Sequence, residues 1–166
     1  MSILRIKKVI SGGQTGADRA AFDWAIENGI PHGGWCPKGR RAEDGIIPER
    51  YRLEETPDPN YDQRTMWNVR DADATLIVTL ERELTAGTLR TGQCAKNIGR
   101  PWLHVMSGDE WRVAIKEFAE KYPIRSLNVA GPRVSEEPGI ESFVREVLDE
   151  LKAIGLFRKP PARRSS

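Results

Sequence analysis

Cysteine is scarce in this chain: Cys36 and Cys94 are the only two in 166 residues. They lie far apart, and neither has a second cysteine or a histidine at the short spacings of zinc sites. A disulfide scaffold is excluded, no structural metal is expected, and two buried thiols are the plain reading. Histidine is equally rare, with His32 just after the Gly29-Ile30-Pro31 turn and His104 inside an apolar run. No apolar stretch approaches the roughly 18 residues that cross a bilayer, so no membrane partner is expected. The opening Met1-Ser2-Ile3-Leu4-Arg5 reaches charge too early for a secretory signal, which points to the cytoplasm. Repeats and low-complexity tracts are also missing.

What is present fits one globular domain: 39% hydrophobic and 30% charged residues, enough chain to bury a core without staples. The net charge of +2 is uneven, because the last eleven residues carry Arg158, Lys159, Arg163 and Arg164 with no acid. Residues 1–155 read as the domain, and 156–166 as a basic, disordered tail with Pro160-Pro161. Without the tail the chain is slightly acidic, which argues against a nucleic-acid partner.

Strand-like runs at Leu4–Ile10, around Gly34–Cys36, and at Ala74–Leu80, Pro101–Met106 and Ser126–Ala130 alternate with helical patterns. Such alternation predicts an α/β, Rossmann-like fold: a doubly wound, mainly parallel five-stranded sheet with helices on both faces. Ile140, Phe143, Val144, Val147, Leu148, Leu151 and Ile154 form one helical stripe, between Pro138 and Gly155. A weaker stripe from Trp111 to Tyr122 marks the preceding helix, and Tyr61–Arg70 has helical character. Pro37–Asn60 is longer than the about 12–15 residues that a compact domain leaves structureless. Trp35, Ile46, Ile47, Tyr51 and Leu53 would anchor it as an ordered lid.

The chemistry concentrates at Ser11-Gly12-Gly13-Gln14-Thr15-Gly16-Ala17-Asp18-Arg19, between a strand and a helix. Glycines there let backbone N–H groups approach an anion, and the helix N-terminus adds positive potential. The spacing is neither the Walker pattern nor the dinucleotide fingerprint, so it does not name the ligand. Gly12, Gly13, Gln14, Thr15 and Gly16 are candidate phosphate contacts. Asp18 either closes a capping box with Thr15 or contacts a ligand hydroxyl, N–H or bridging cation, and Arg19 is a candidate forked donor. A second turn, Thr85-Ala86-Gly87-Thr88, follows the Ala74–Leu80 strand and opens a helix ending near Gly99. In a 2-1-3-4-5 strand order both turns would line one crevice, with Thr85, Gly87, Thr88 and Thr91 contributing. From the lid, Lys38 and Arg40 would share one face of an extended segment and neutralise the phosphate, while Arg41 faces Glu43 or Asp44.

Ile10 to Arg19, Gly29 to Gly45 with its Gly-Gly-Trp-Cys-Pro-Lys-Gly-Arg-Arg run, Asn68 to Ile77, and Leu127 to Arg133 together resemble the molybdenum-cofactor carrier protein family. That family sits in the superfamily of the DNA-processing protein DprA and the LOG-type nucleotide hydrolases. The resemblance implies a Rossmann-like homo-oligomer that binds a phosphorylated, nucleotide-like or pterin ligand, with molybdenum cofactor or a nucleotide as the bound group. An N-glycosidic hydrolase of LOG type is the competing reading. Its motif has two glutamates where this chain has Arg90 and Thr91, and acid–base chemistry needs a placed carboxylate, so binding without hydrolysis is favoured and no catalytic residue is assigned. A DprA-like DNA-binding module ranks third.

Overall fold

The chain, described over residues 5–162 in a computed structural model, alternates strands and helices as its apolar pattern requires. Its first half holds β1 (Lys8–Ile10), α1 (Ala17–Glu27), β2 (His32–Gly33), β3 (Trp35–Cys36), β4 (Arg41–Ala42), β5 (Gly45–Ile46), β6 (Glu54–Glu55) and α2 (Tyr61–Asp71). The second half holds β7 (Ala74–Thr79), α3 (Ala86–Ile98), β8 (Trp102–Met106), α4 (Trp111–Lys121), β9 (Ser126–Ala130) and α5 (Ile140–Ala153).

Five parallel strands form the central sheet in the order β2-β1-β9-β7-β8. In register, Val9 faces His32 on one side and Leu127 on the other, while Ile77 lies between Ala130 and His104. All six residues of β7 are buried because both faces are covered. α1 and α4 pack with α5 on one face, and α2 packs with α3 on the other. Right-handed crossovers require that division, since β1→β2 and β8→β9 run one way along the sheet while β2→β7 and β7→β8 run the other.

The expected 2-1-3-4-5 order is corrected. Numbering only these five strands, the observed order is 2-1-5-3-4, because α4 carries the chain back across the sheet and inserts β9 between β1 and β7. Counting from β7 instead of β1 restores 2-1-3-4-5. The sheet is therefore the expected one with the chain opened at a different loop.

The main core sets Val9, Leu76, Val78, Leu127 and Val129 of the sheet against Trp24, Trp111, Ile115 and the α5 stripe from Ile140 to Leu151. Each such side chain contributes about 1.5–3 kcal/mol on full burial. A second cluster of Phe22, Cys36, Ile47 and Tyr51, with Leu53, lies under residues 37–60. That segment is ordered: its β6 pairs in parallel with β3 just before it, and its β4 and β5 form a hairpin. Ile46 is not one of its anchors, being 77% exposed. Trp111 is in the core, and Trp35 and Trp67 pack edge to face at 4.7 Å, whereas Trp102 is 37% exposed.

The tail also differs from expectation at its start. Leu156 and Phe157 are buried, Ile6 N–H donates to Leu156 O at 2.7 Å, and Arg158 N–H donates to Ile6 O at 2.8 Å. Apolar residues just past Gly155 dock beside the first strand, so the packed chain reaches Arg158. Leu4, and Arg163 to Ser166 of the tail, lie outside the described residues.

Candidate functional site

A cavity of about 170 Å³ opens at the C-terminal ends of β1, β9 and β7. Connections leave the adjoining β9 and β7 toward opposite faces here, which is where open α/β sheets leave a crevice. Gly12, Gln14 and Asp18 line it from the β1 side, Asn128 to Gly131 from the end of β9, Thr85 to Thr88 from the start of α3, and Tyr61, Arg64 and Asn68 from α2.

The first glycine turn is already filled. α1 starts at Ala17 with Gly16 as its N-cap at φ 81°, and no side chain caps it. Asp18 makes no capping box with Thr15: its Oδ2 accepts the Gln14 N–H at 3.2 Å, while Thr15 Oγ1 accepts the Val134 N–H at 3.3 Å. The amide cradle expected to hold a phosphate thus holds the chain's own carboxylate. A Cβ on Gly13 would stand 2.6 Å from Leu53 Cδ1, and one on Gly16 would stand 2.5 Å from Pro132 O. These glycines admit the lid and the loop after β9. Arg19 is likewise engaged, with Nε donating to Gly13 O at 3.0 Å and its fork gripping Asp44 at 2.5 and 2.8 Å. It ties the β4–β5 hairpin to the turn, and its hydrogen bonds hold the Asp44 carboxyl below the usual range.

The second turn is open. Thr85 caps α3 without a side-chain bond to its N–H groups, so the first-turn amides from Ala86 onward lack intrahelical acceptors. A Cβ on Gly87 would meet nothing within 4 Å among the described residues. The hydroxyl protons of Thr88 and Thr91 go to Thr85 O and Gly87 O, each at 3.0 Å, so these threonines stiffen the helix start instead of donating into the cavity.

Charge at the rim is balanced, with Arg64, Arg90 and Arg133 against Asp18, Asp62 and Glu136. Arg90 pairs with Asp62, and Arg133 lies 3.5 Å from Glu136. Arg64 has no such close partner among the described residues; it donates to Gly12 O at 3.1 Å and Thr65 Oγ1 at 3.3 Å. Burial raises the Asp18 carboxyl above its ordinary range, against the pull of Arg64 and the Gln14 N–H. Burial also lowers the Arg64 pKa, opposed by Asp18, although a guanidinium stays charged. The Tyr61 ring has the guanidinium carbons of Arg64 and Arg133 at 5.0 and 5.7 Å from its centroid.

Lys38 and Arg40 do not line the cavity. The alternation argument assumed an extended segment, but Arg40 N–H closes a turn onto Pro37 O, with Gly39 at φ 85° and Arg40 at 52°. The Arg40 guanidinium donates to the carbonyls of Ile47 at 3.1 Å, Pro48 at 2.8 Å and Tyr51 at 3.0 Å, so it braces the lid from inside. Lys38 is exposed. Residues the sequence reading passed over are Tyr61, Arg64, Asn128 and Arg133. The signal for the last two was present, since Asn128-Val129-Ala130-Gly131 is a strand end running into a glycine, as at Val9 to Gly12.

No curated protein matches the chain. Among solved structures it is similar to a protein of Syntrophus aciditrophicus described as a "putative molybdenum carrier protein", at 42% identity and a TM-score of 0.85, covering 90% of this chain and 96% of that one. Residues 9–152 match the model of the circularly permutated YpsA SLOG family, whose description accords with a sheet that reads 2-1-3-4-5 only when counted from β7. The chain belongs to the circularly permutated YpsA SLOG family.

Proposed function

We propose that the chain is a binding and carrier protein for a phosphorylated ligand with a heterocyclic body, and that molybdenum cofactor is its cargo. One observation carries the reading: an uncapped helix N-terminus, at Ala86 to Thr88, opens into a cavity lined by Arg64, which makes no ion pair within 4 Å among the described residues and has only the buried Asp18 carboxyl to balance it. Backbone N–H groups and a partly enclosed guanidinium are what a phosphate needs, and their potentials add. The donors fit the phosphate of molybdenum cofactor: the first turn of α3 would hold it, with Arg64 and Arg133 supplying charge. The cavity falls below the roughly 300–1,000 Å³ usual for ligand pockets. It would enclose the phosphate and part of the ring system, with the remainder at the open mouth. The name of the Syntrophus protein supports the same cargo. Self-association belongs to this proposal, and a monomer in sedimentation at micromolar concentration would count against it.

Native mass spectrometry of gently purified protein tests the main reading. The expected result is a retained phosphorylated small molecule, lost in Arg64→Met. Protein that carries none, and whose melting temperature does not respond to millimolar inorganic phosphate or nucleoside monophosphates, would overturn it.

A further inference from the structure

Two buried side chains of the cavity have hydrogen-bonding capacity that the fold leaves unused. Gln14 is 5% exposed, and its carboxamide cannot exchange ends. Oε1 accepts the N–H of Thr15 at 3.1 Å and of Glu43 at 2.9 Å, which leaves Nε2 buried with no partner among the described residues. Native folds keep few such donors, because an unmet buried N–H is destabilising. Asp18, four residues on in the first turn of α1, is 7% exposed; its carboxylate accepts the Gln14 N–H at 3.2 Å and lies in the field of Arg64, with further lone pairs to offer. Both residues line the same cavity, as does Tyr61. The wall of one cavity thus holds an unpartnered donor and a partly engaged acceptor.

The matching ligand edge has an acceptor beside donors. An enclosed carboxylate is best satisfied by two parallel N–H groups, and a 2-amino-4-oxopyrimidine ring provides these next to its oxo group. Adenine offers one amino group beside a ring nitrogen. Uracil offers one N–H between two oxo groups, of which the second would face the carboxylate.

We infer that Gln14 and Asp18 read the 2-amino-4-oxopyrimidine edge common to guanine and pterin rings, with Gln14 Nε2 donating to the oxo group and Asp18 accepting the ring N–H and the amino group. The hairpin takes part indirectly. Its Glu43 N–H fixes the Gln14 carboxamide, and the Arg19–Asp44 fork fixes the hairpin, so Arg19 and Asp44 are positioning residues.

This inference rests on the phosphate reading above, and the test separates the two. Calorimetric titration of the full chain would use guanosine, inosine, adenosine, uridine and xanthosine monophosphates, a pterin monophosphate, and inorganic phosphate. Guanosine or pterin monophosphate should bind about tenfold or more tighter than the inosine compound, which lacks the amino group, and tighter still than adenosine or uridine monophosphate. Which of the two leads distinguishes a nucleotide from a pterin. Asp18→Asn should exchange the preference from guanosine to xanthosine monophosphate, whose 2-oxo group matches the new amide. Gln14→Glu should lose about tenfold at neutral pH and recover part of that in acid, where a protonated carboxyl donates from the same place; Gln14→Met should not recover. Equal binding of guanosine, adenosine and uridine monophosphates to the wild type would overturn the inference and leave phosphate binding intact. If neither inorganic phosphate nor any monophosphate binds, the proposed function falls with it. Should a variant fail to fold, the wild-type series decides alone.

Discussion

Two glycine turns lead from strand ends into helices on the rim of one sheet, and they have opposite interiors. In the Gly12–Gly16 turn every space a side chain would occupy is taken: by Asp18 and Arg64 at Gly12, by Leu53 and Ile47 at Gly13, by the Pro132–Val134 backbone at Gly16. At Gly87 a side-chain methyl would find nothing within 4 Å among the described residues, and the helix start has no side-chain cap. A glycine next to a helix start therefore means two different things. It can admit a neighbouring part of the protein, or it can leave room for something from outside.

The largest effect should come from breaking the closed turn. Gly16→Val combines a left-handed conformation, roughly 1–2 kcal/mol of strain, with overpacking worth about 1–3 kcal/mol. A loss of about 2–5 kcal/mol in chemical denaturation is expected. Gly87→Ala should leave stability unchanged or raise it by up to about 1 kcal/mol while weakening phosphate binding. Similar denaturation midpoints for the two variants would erase the contrast.

Next in size is Arg64→Met, expected to cost about 1.5–3 kcal/mol of affinity for inorganic phosphate, the scale of a hydrogen bond to a charged group. Arg40→Ala should do the reverse. It removes three bonds to lid carbonyls at about 0.5–1.5 kcal/mol each, so unfolding free energy falls while the salt dependence of binding stays the same. A changed salt dependence would return Arg40 to the ligand.

Asp18 sharpens the comparison through pH. Its folded pKa is raised above the ordinary value of 3.8, mainly by burial, so its contribution to stability is complete below that value and is lost as pH rises through the folded pKa. Thermal melts should show the wild type losing ground to Asp18→Asn as pH climbs above about 4. A parallel pair of curves would mean that the turn N–H groups and Arg64 fully offset burial. The smallest effect is that of Lys38→Ala, an exposed site where changes stay within about 0.5 kcal/mol, with phosphate affinity also unchanged.

Which parts of this were legible in the sequence follows from the range of the forces involved. The α5 stripe and the two-sided apolar run of β7 are local patterns, and each element formed where its residues place it. Strand order is not local. Nothing in Ser126–Ala130 says that it will lie between β1 and β7, because any of the parallel strands could accept its apolar faces. The site was half legible for the same reason. Its glycine turns are written in consecutive residues, but Arg64 reaches Gly12 across 52 positions from the first turn of α2. Arg40 misled because two successive left-handed residues turned a run read as extended.

The bridge between Ile6 and Phe157 brings the two ends of the described chain together beside the start of β1, while the cavity opens where β1, β9 and β7 finish. At Ile6 and Phe157 the described chain enters and leaves at the floor of the sheet, a strand length away from the mouth. A fluorophore, an affinity handle or a fused enzyme can therefore be placed there without obstructing entry, and a short peptide joining the ends would free the loop before β7 to serve as a new pair of termini. A chain re-cut in that loop would keep the same crevice and read its strands in the unpermuted sequence.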